Sequence, residues 1–127
     1  MENVYATNLI KCKTNIMPED IPNRKQFFEK SFINCGKILE QEIAIIRPKL
    51  IICLSERVLH ILSEKYMGIK LNMKDSYGKL FELKINGIDY YFIPVVHLPK
   101  GANSNVAKTY FPYQTERLKN ISFLQFI

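Results

Sequence analysis

Between residues 23 and 46 the apolar side chains Phe28, Phe32, Cys35, Leu39, Ile43 and Ile46 recur at steps of three and four. That period lays them along one face of an α-helix, and it predicts a long amphipathic helix with Asn23 as its cap. Arg47-Pro48 ends the helix, because the residue before a proline is pushed out of the helical region. The next run, KLIICLS at 49–55, is unbroken and apolar, the pattern of a strand covered on both faces, and predicts a central parallel strand. Ser55 then stands where a second helix would be capped. In that helix, ERVLHILSEKY, Val58, Leu59, Leu62 and Tyr66 share a face and Gly68 closes the end.

Residues 4–10, VYATNLI, are apolar and β-prone without a breaker, which predicts a first strand. Pro18 and Pro22 mark the polar stretch after it as a loop. Further on, KLFELKINGIDYYFIPVVHL holds two β-rich runs around Asn86-Gly87, the strongest short-range signal for a hairpin, with the second run reaching Val96 and ending at His97. A Gly- and Asn-rich loop follows, and then helix-forming residues broken at Pro112, with Asn103 or Ser104 as cap. The order β, α, β, α, ββ is that of an α/β domain, and 127 residues suit a single domain spanning 1–127. There is no internal repeat, low-complexity tract or linker.

Composition narrows the class. With 47% hydrophobic and 24% charged residues the chain reads as an ordinary globular protein. No apolar run approaches the ~18 residues that cross a bilayer, and the first residues lack the order of a signal peptide, so no membrane partner and a cytoplasmic or nucleoid location are expected. Cys12, Cys35 and Cys53 form an odd, widely spaced set, which argues against a disulfide framework and for thiols in a reducing compartment. A net charge of +6 favours polyanionic partners, since neutralising phosphates releases their counterions.

Three expected strands end in polar residues: Asn8, Ser55 and His97. Ligands of open α/β sheets bind outside the carboxyl ends of parallel strands, so these tips are where function is to be sought. Asn8 is either a turn residue or a carboxamide that offers donor and acceptor in one plane to a nucleobase edge. His97 either satisfies a backbone carbonyl or stabilises negative charge developing on a leaving group. His60, in mid-helix, is the weaker candidate. Ser55 reads as a cap, because CLSER lacks the small residues of a G-x-S-x-G elbow.

At this point the sequence resembles the uracil-DNA glycosylase superfamily, nearest its iron-sulfur-containing branches. VYATNLIKCKTN looks like the family's second core strand with its Asn-x-x-Lys-Cys motif. EIAIIRPKLIICLSERVLHIL is similar to the third strand and the helix behind it, and INGIDYYFIPVVHLPK to the last strand with its His-Pro-Ser-type ending. The resemblance implies a three-layer sandwich, a mostly parallel central sheet flanked by helices, with the one hairpin near Asn86-Gly87. It implies that Asn8 reads the uracil edge, that His97 steadies the departing uracil anion, and that Lys11, Lys13 and Lys100 lie near DNA phosphates. Cys12 and Cys35 fall on the third and fourth cluster ligands of the iron-sulfur branches, half of a set, so a 4Fe-4S cluster is expected only if the missing cysteines are supplied, and no cofactor for this chain alone.

The sequence departs from the family pattern in stated places. The family's first core strand and its Gly-rich loop, which position water and stack on uracil, belong before Val4, where this sequence has Met1, Glu2 and Asn3. Ser55 replaces the family's Gly, and Leu98 interrupts His-Pro. The expectation is therefore a carboxyl-terminal part of the family fold that binds DNA containing uracil and is weak or inactive by itself. The alternatives are a DNA- or protein-binding module without catalysis, and an assembly subunit, such as a homodimer, whose open sheet edge pairs with another chain.

Overall fold

The structure, a computed structural model, describes residues 4–7, 23–96 and 104–122. Contacts divide the chain into two compact units, Met1–Arg47 and Pro48–Ile127.

The first unit is built on α1, Arg24–Ile46. Asn23 adopts the left-handed conformation at φ 51°, and its Oδ1 accepts the Gln26 N–H at 3.3 Å, satisfying one of the amides that the first helical turn leaves open. At the other end Arg47, also left-handed at φ 47°, donates its N–H to the Ile43 carbonyl at 2.7 Å, and Pro48 cannot continue the helix. Phe32, Cys35, Leu39 and Ile43 are buried as their period predicts, whereas Ile46 is exposed.

Residues 4–7 carry no strand, which corrects the expectation of a strand beginning there; the rest of that expected strand lies outside the described residues. Val4 is 69% exposed, and the polar side chains turn to α1: the Tyr5 hydroxyl donates to Glu42 at 3.1 Å, and Thr7 Oγ1 donates to the same carboxylate at 3.1 Å. The bond to Glu42 raises the Tyr5 phenol above its ordinary pKa.

The second unit is a mixed sheet with helices. Strands β1 (Leu50–Cys53), β2 (Phe81–Ile85) and β3 (Ile88–Pro94) lie in the order β1-β3-β2. β1 runs parallel to β3, with Leu50 opposite Tyr91, and β2 runs antiparallel to it, with Ile85 opposite Ile88. Asn86 and Gly87 both take positive φ, 50° and 81°, as the tight two-residue hairpin requires. β2 alternates, with Leu83 and Ile85 buried between exposed Glu82 and Lys84.

The strand covered on both faces is β3, where Phe92, Ile93 and Pro94 are buried in succession. β1, expected to be central, pairs with β3 alone among the described residues and leaves Ile52 57% exposed. An apolar run marks β-propensity, but the ladder places a strand, and here β3 has neighbours on both sides.

Helix α2, Glu56–Met67, follows β1 through Ser55 and packs against β2. Leu59, Ile61, Leu62 and Ser63 are its buried positions, so the inward face is rotated from the one expected through Val58 and Tyr66. Ser63 donates to the Leu59 carbonyl at 2.7 Å and accepts the Leu71 N–H at 3.0 Å, which ties down the chain leaving α2. Gly68 closes the helix at φ 72°. A short helix, α3 (Met73–Ser76), occupies what reads as a polar loop, nucleated by Asn72, whose Oδ1 accepts the Asp75 N–H at 2.9 Å. The last helix, α4, runs Ser104–Lys119 straight through Pro112, against the expected break. Pro112 is exposed, so its ring faces solvent and only one helical amide is lost. Among the described residues no helix is long and apolar enough to cross a membrane.

Candidate functional site

At the carboxyl ends of β1 and β3 the second unit holds a cavity of about 460 Å³, within the ~300–1,000 Å³ usual for small-ligand sites. Leu54, Ser55 and Glu56 enter it directly from β1, and Val96 lies just beyond β3. The parallel ladder extends one step past the strands, Val95 N–H to Cys53 carbonyl at 2.8 Å, which keeps the two strand exits together. Met73 and Lys74 come from α3 and Tyr110 from α4.

Each wall has a local cause. Ser55 stands at the cap position of α2, yet its side chain makes no capping bond; its carbonyl accepts the Leu59 N–H at 2.9 Å and the Cys53 thiol at 3.2 Å. Burial pushes the Cys53 thiol up to about 11. Glu56 Oε1 accepts the Met73 N–H at 3.4 Å and lies 3.6 Å from His60 Nε2, so α2 and α3 are joined at the rim. Tyr110 packs edge-on against Tyr77 with ring centroids 5.1 Å apart. Arg117, two turns further along α4, lies over the Tyr77 ring at 4.4 Å and donates to the Tyr77 carbonyl at 2.8 Å. Gln114, between them, holds both backbone groups of Val96, accepting its N–H at 2.7 Å and donating to its carbonyl at 3.1 Å.

The lining joins apolar Leu54, Met73 and Val96 to a hydroxyl, a carboxylate, an ammonium and a phenol. Such a mixture suits a flat polar ligand with an anionic substituent, which Tyr110 could face and Lys74 could pair with.

Of the residues read from sequence, Ser55 reaches this cavity, and His60 stands next to Glu56 on its rim. Asn8, Lys11, Cys12, Lys13, His97 and Lys100 lie outside the described residues. His97 follows Val96 directly in the chain. Cys35 is 2% exposed on α1 and disulfide-bonded, which corrects its reading as a reduced thiol. A sulfur in a disulfide is not the thiolate that ligates a metal. Among the described residues no group of three or more His, Cys, Asp or Glu side chains is arranged for a metal ion. The whole chain has three cysteines, one fewer than the thiolates a 4Fe-4S cluster takes, so it does not fit that group by itself.

Sequence reasoning missed Glu56, Lys74, Tyr110 and Gln114. Glu56 was within reach, one position beyond the polar tip at Ser55. The other three arrive from α3 and α4, and no spacing along the chain joins them to the strand ends.

The sequence profile of the Uracil DNA glycosylase superfamily matches residues 1–121. The chain belongs to that superfamily. Members of the superfamily act on DNA. No curated protein and no solved structure gives a significant match.

Proposed function

We propose that this uracil-DNA glycosylase relative binds DNA, recognises a flipped-out uracil, and hydrolyses its N-glycosidic bond weakly or not at all as this chain alone. The observation that carries the reading is the cavity at the exits of β1 and β3, lined by Val96, the residue that precedes His97 in the sequence. Flipping is needed because neither the sugar carbon nor the base edge can be reached inside the stack. In the reaction the oxygen of water bonds to C1′ and the bond from C1′ to uracil N1 breaks. The electron pair leaves with the base, and the water proton passes to solvent or a nearby base. Asn8 selects uracil through its carboxamide, and His97 stabilises charge on the departing anion. Lys11, Lys13 and Lys100 hold phosphates, consistent with the net charge of +6.

The motifs quoted from residues 4–15 support a reading nearest the iron-sulfur branch, with no cluster completed by this chain and none in the chemistry. One domain with a three-layer, mostly parallel sheet is part of the same proposal, strands beyond the described three extending it past β1. That strand has an open edge among the described residues, which suits a further strand from this chain, a second copy or a partner. A cytoplasmic or nucleoid location, where DNA is at hand, is part of the same reading.

Single-turnover release of uracil and equilibrium binding, measured on the same single-stranded oligonucleotide, test the proposal. Preference for uracil over thymine that Asn8→Ala abolishes, with release slowed at least ~10²-fold by His97→Ala, is the expected result. Release that survives His97→Ala refutes the assigned chemistry. Salt-sensitive binding with no uracil preference, unchanged by Asn8→Ala, replaces it with the second reading, a basic DNA-docking module without catalysis, which the departures at Ser55 and Leu98 favour.

A further inference from the structure

Lys74 lines the cavity from α3 and is exposed there. Among the described residues no carboxylate lies within ion-pair distance of its ammonium. Glu56, the carboxylate among the described lining residues, is engaged elsewhere, accepting the Met73 N–H at 3.4 Å and lying 3.6 Å from His60 Nε2. The backbone that carries Lys74 is held on both sides. Asn72 Oδ1 accepts the Asp75 N–H at 2.9 Å, Glu56 holds the Met73 N–H, and the Met73 carbonyl accepts the Tyr77 N–H at 3.0 Å. Tyr77 in turn packs edge-on against Tyr110, the ring planes 86° apart, so the turn that bears the ammonium and the ring on α4 share one support. Such fixing lowers the cost of ordering the walls when a ligand arrives.

At about 460 Å³ the cavity is larger than a pyrimidine ring requires, and has room for a sugar and a phosphate as well. Apolar Leu54, Met73 and Val96 suit the ring and the sugar. A phosphate that leaves water needs its charge paired, and the cation on the described lining is the Lys74 ammonium, a point charge suited to phosphate oxygens. We propose that the cavity takes a whole flipped nucleotide rather than the base alone, and that Lys74 pairs with one of its two flanking phosphates while the ring lies toward Tyr110. The inference rests on the function proposed above and adds α3 to the surface that meets DNA. Base and phosphate are joined through the sugar, so a cation on the wall sets how deep the nucleotide sits.

The test titrates the full chain with single-stranded oligonucleotides holding one deoxyuridine, fluorinated on its sugar to resist hydrolysis. Its two flanking linkages are ordinary phosphates, or one of them is a neutral methylphosphonate. In the wild type, neutralising one of the two linkages is expected to weaken binding about tenfold. In Lys74→Met the same linkage is expected to make little difference, and the slope of log affinity against log salt is expected to fall by roughly 0.7. Lys74→Arg keeps a cation and is expected to restore the dependence. Lys84→Met, on β2 and outside the described lining, is expected to respond as the wild type does. An equal loss in wild type and Lys74→Met overturns the proposal. No loss at either linkage in the wild type overturns it too, and that result needs no variant to fold. The same titrations with thymidine in place of deoxyuridine separate the two readings. A wild type that binds both alike removes uracil recognition, while a linkage effect that depends on Lys74 still stands. Uracil preference without such an effect removes only the role of Lys74.

Discussion

Replacing Gly78 with alanine strikes the contact between the end of β3 and α4. Gly78 has φ +74°, donates its N–H to the Pro94 carbonyl at 2.7 Å, and faces α4 so closely that an added Cβ would sit 3.2 Å from Arg117 Cβ and 3.4 Å from the Gln114 carbonyl. Two costs then add. The left-handed conformation alone disfavours alanine by about 1–2 kcal/mol, offset by ~0.4–1 kcal/mol because alanine restricts the unfolded chain. The close approach to a Cβ and a backbone oxygen, neither of which is the yielding end of a flexible side chain, adds about 1–2 kcal/mol of overpacking. Gly68 supplies the control, with φ +72° and nothing within 4 Å of its would-be Cβ, so Gly68→Ala carries the conformational cost alone. Urea denaturation followed by circular dichroism should therefore place Gly68→Ala about 0.5–1 kcal/mol below wild type and Gly78→Ala about 1.5–3 kcal/mol below it. Coincident midpoints for the two variants would refute the tight seating of α4, and with it the account of how Tyr110 reaches the cavity and Gln114 reaches Val96.

Two further tests concern the same neighbourhood. The Cys53 thiol is raised from 9.0 to about 11 by burial, so the folded state retains its proton where the unfolded state loses it. Its contribution is complete below pH 9 and declines between pH 9 and 11, by about 2–3 kcal/mol in all, and Cys53→Ala should flatten that part of the pH dependence of urea stability. Arg117→Lys should lower stability by about 1–2 kcal/mol in thermal melts, nearly as much as Arg117→Met. A lysine ammonium cannot both lie flat over the Tyr77 ring and direct a fixed N–H to its carbonyl, as the guanidinium does at 4.4 and 2.8 Å; lysine equal to wild type would contradict this.

Local chemistry was legible in the sequence, and lateral arrangement was not. The limits of α1, the Asn86-Gly87 hairpin and the glycine closing α2 follow from caps, proline and positive φ, which act within a few residues. The placement of β1 depended instead on which strand has neighbours on both sides, and hydropathy cannot say that, since Ile52 and Phe92 are equally apolar while only Phe92 is buried. Proline predicted a break in α4, but a single exposed proline removes one amide and leaves the remaining ladder intact. At the site, the strand-end rule led to Ser55 and no further, because Lys74, Tyr110 and Gln114 come to the strand ends from helices and only their packing brings them there.

The two pairings of β3 differ in how they can form. β2 and β3 close through a two-residue turn, a local event, whereas Leu50 meets Tyr91 only after the intervening chain, with α2 and α3, has been gathered in. The cavity hangs on the second of these pairings and on α4, which joins from the far end of the unit. Closing it therefore costs more chain entropy than closing the hairpin, and local opening at β1 or α4 would loosen the cavity while leaving the hairpin paired.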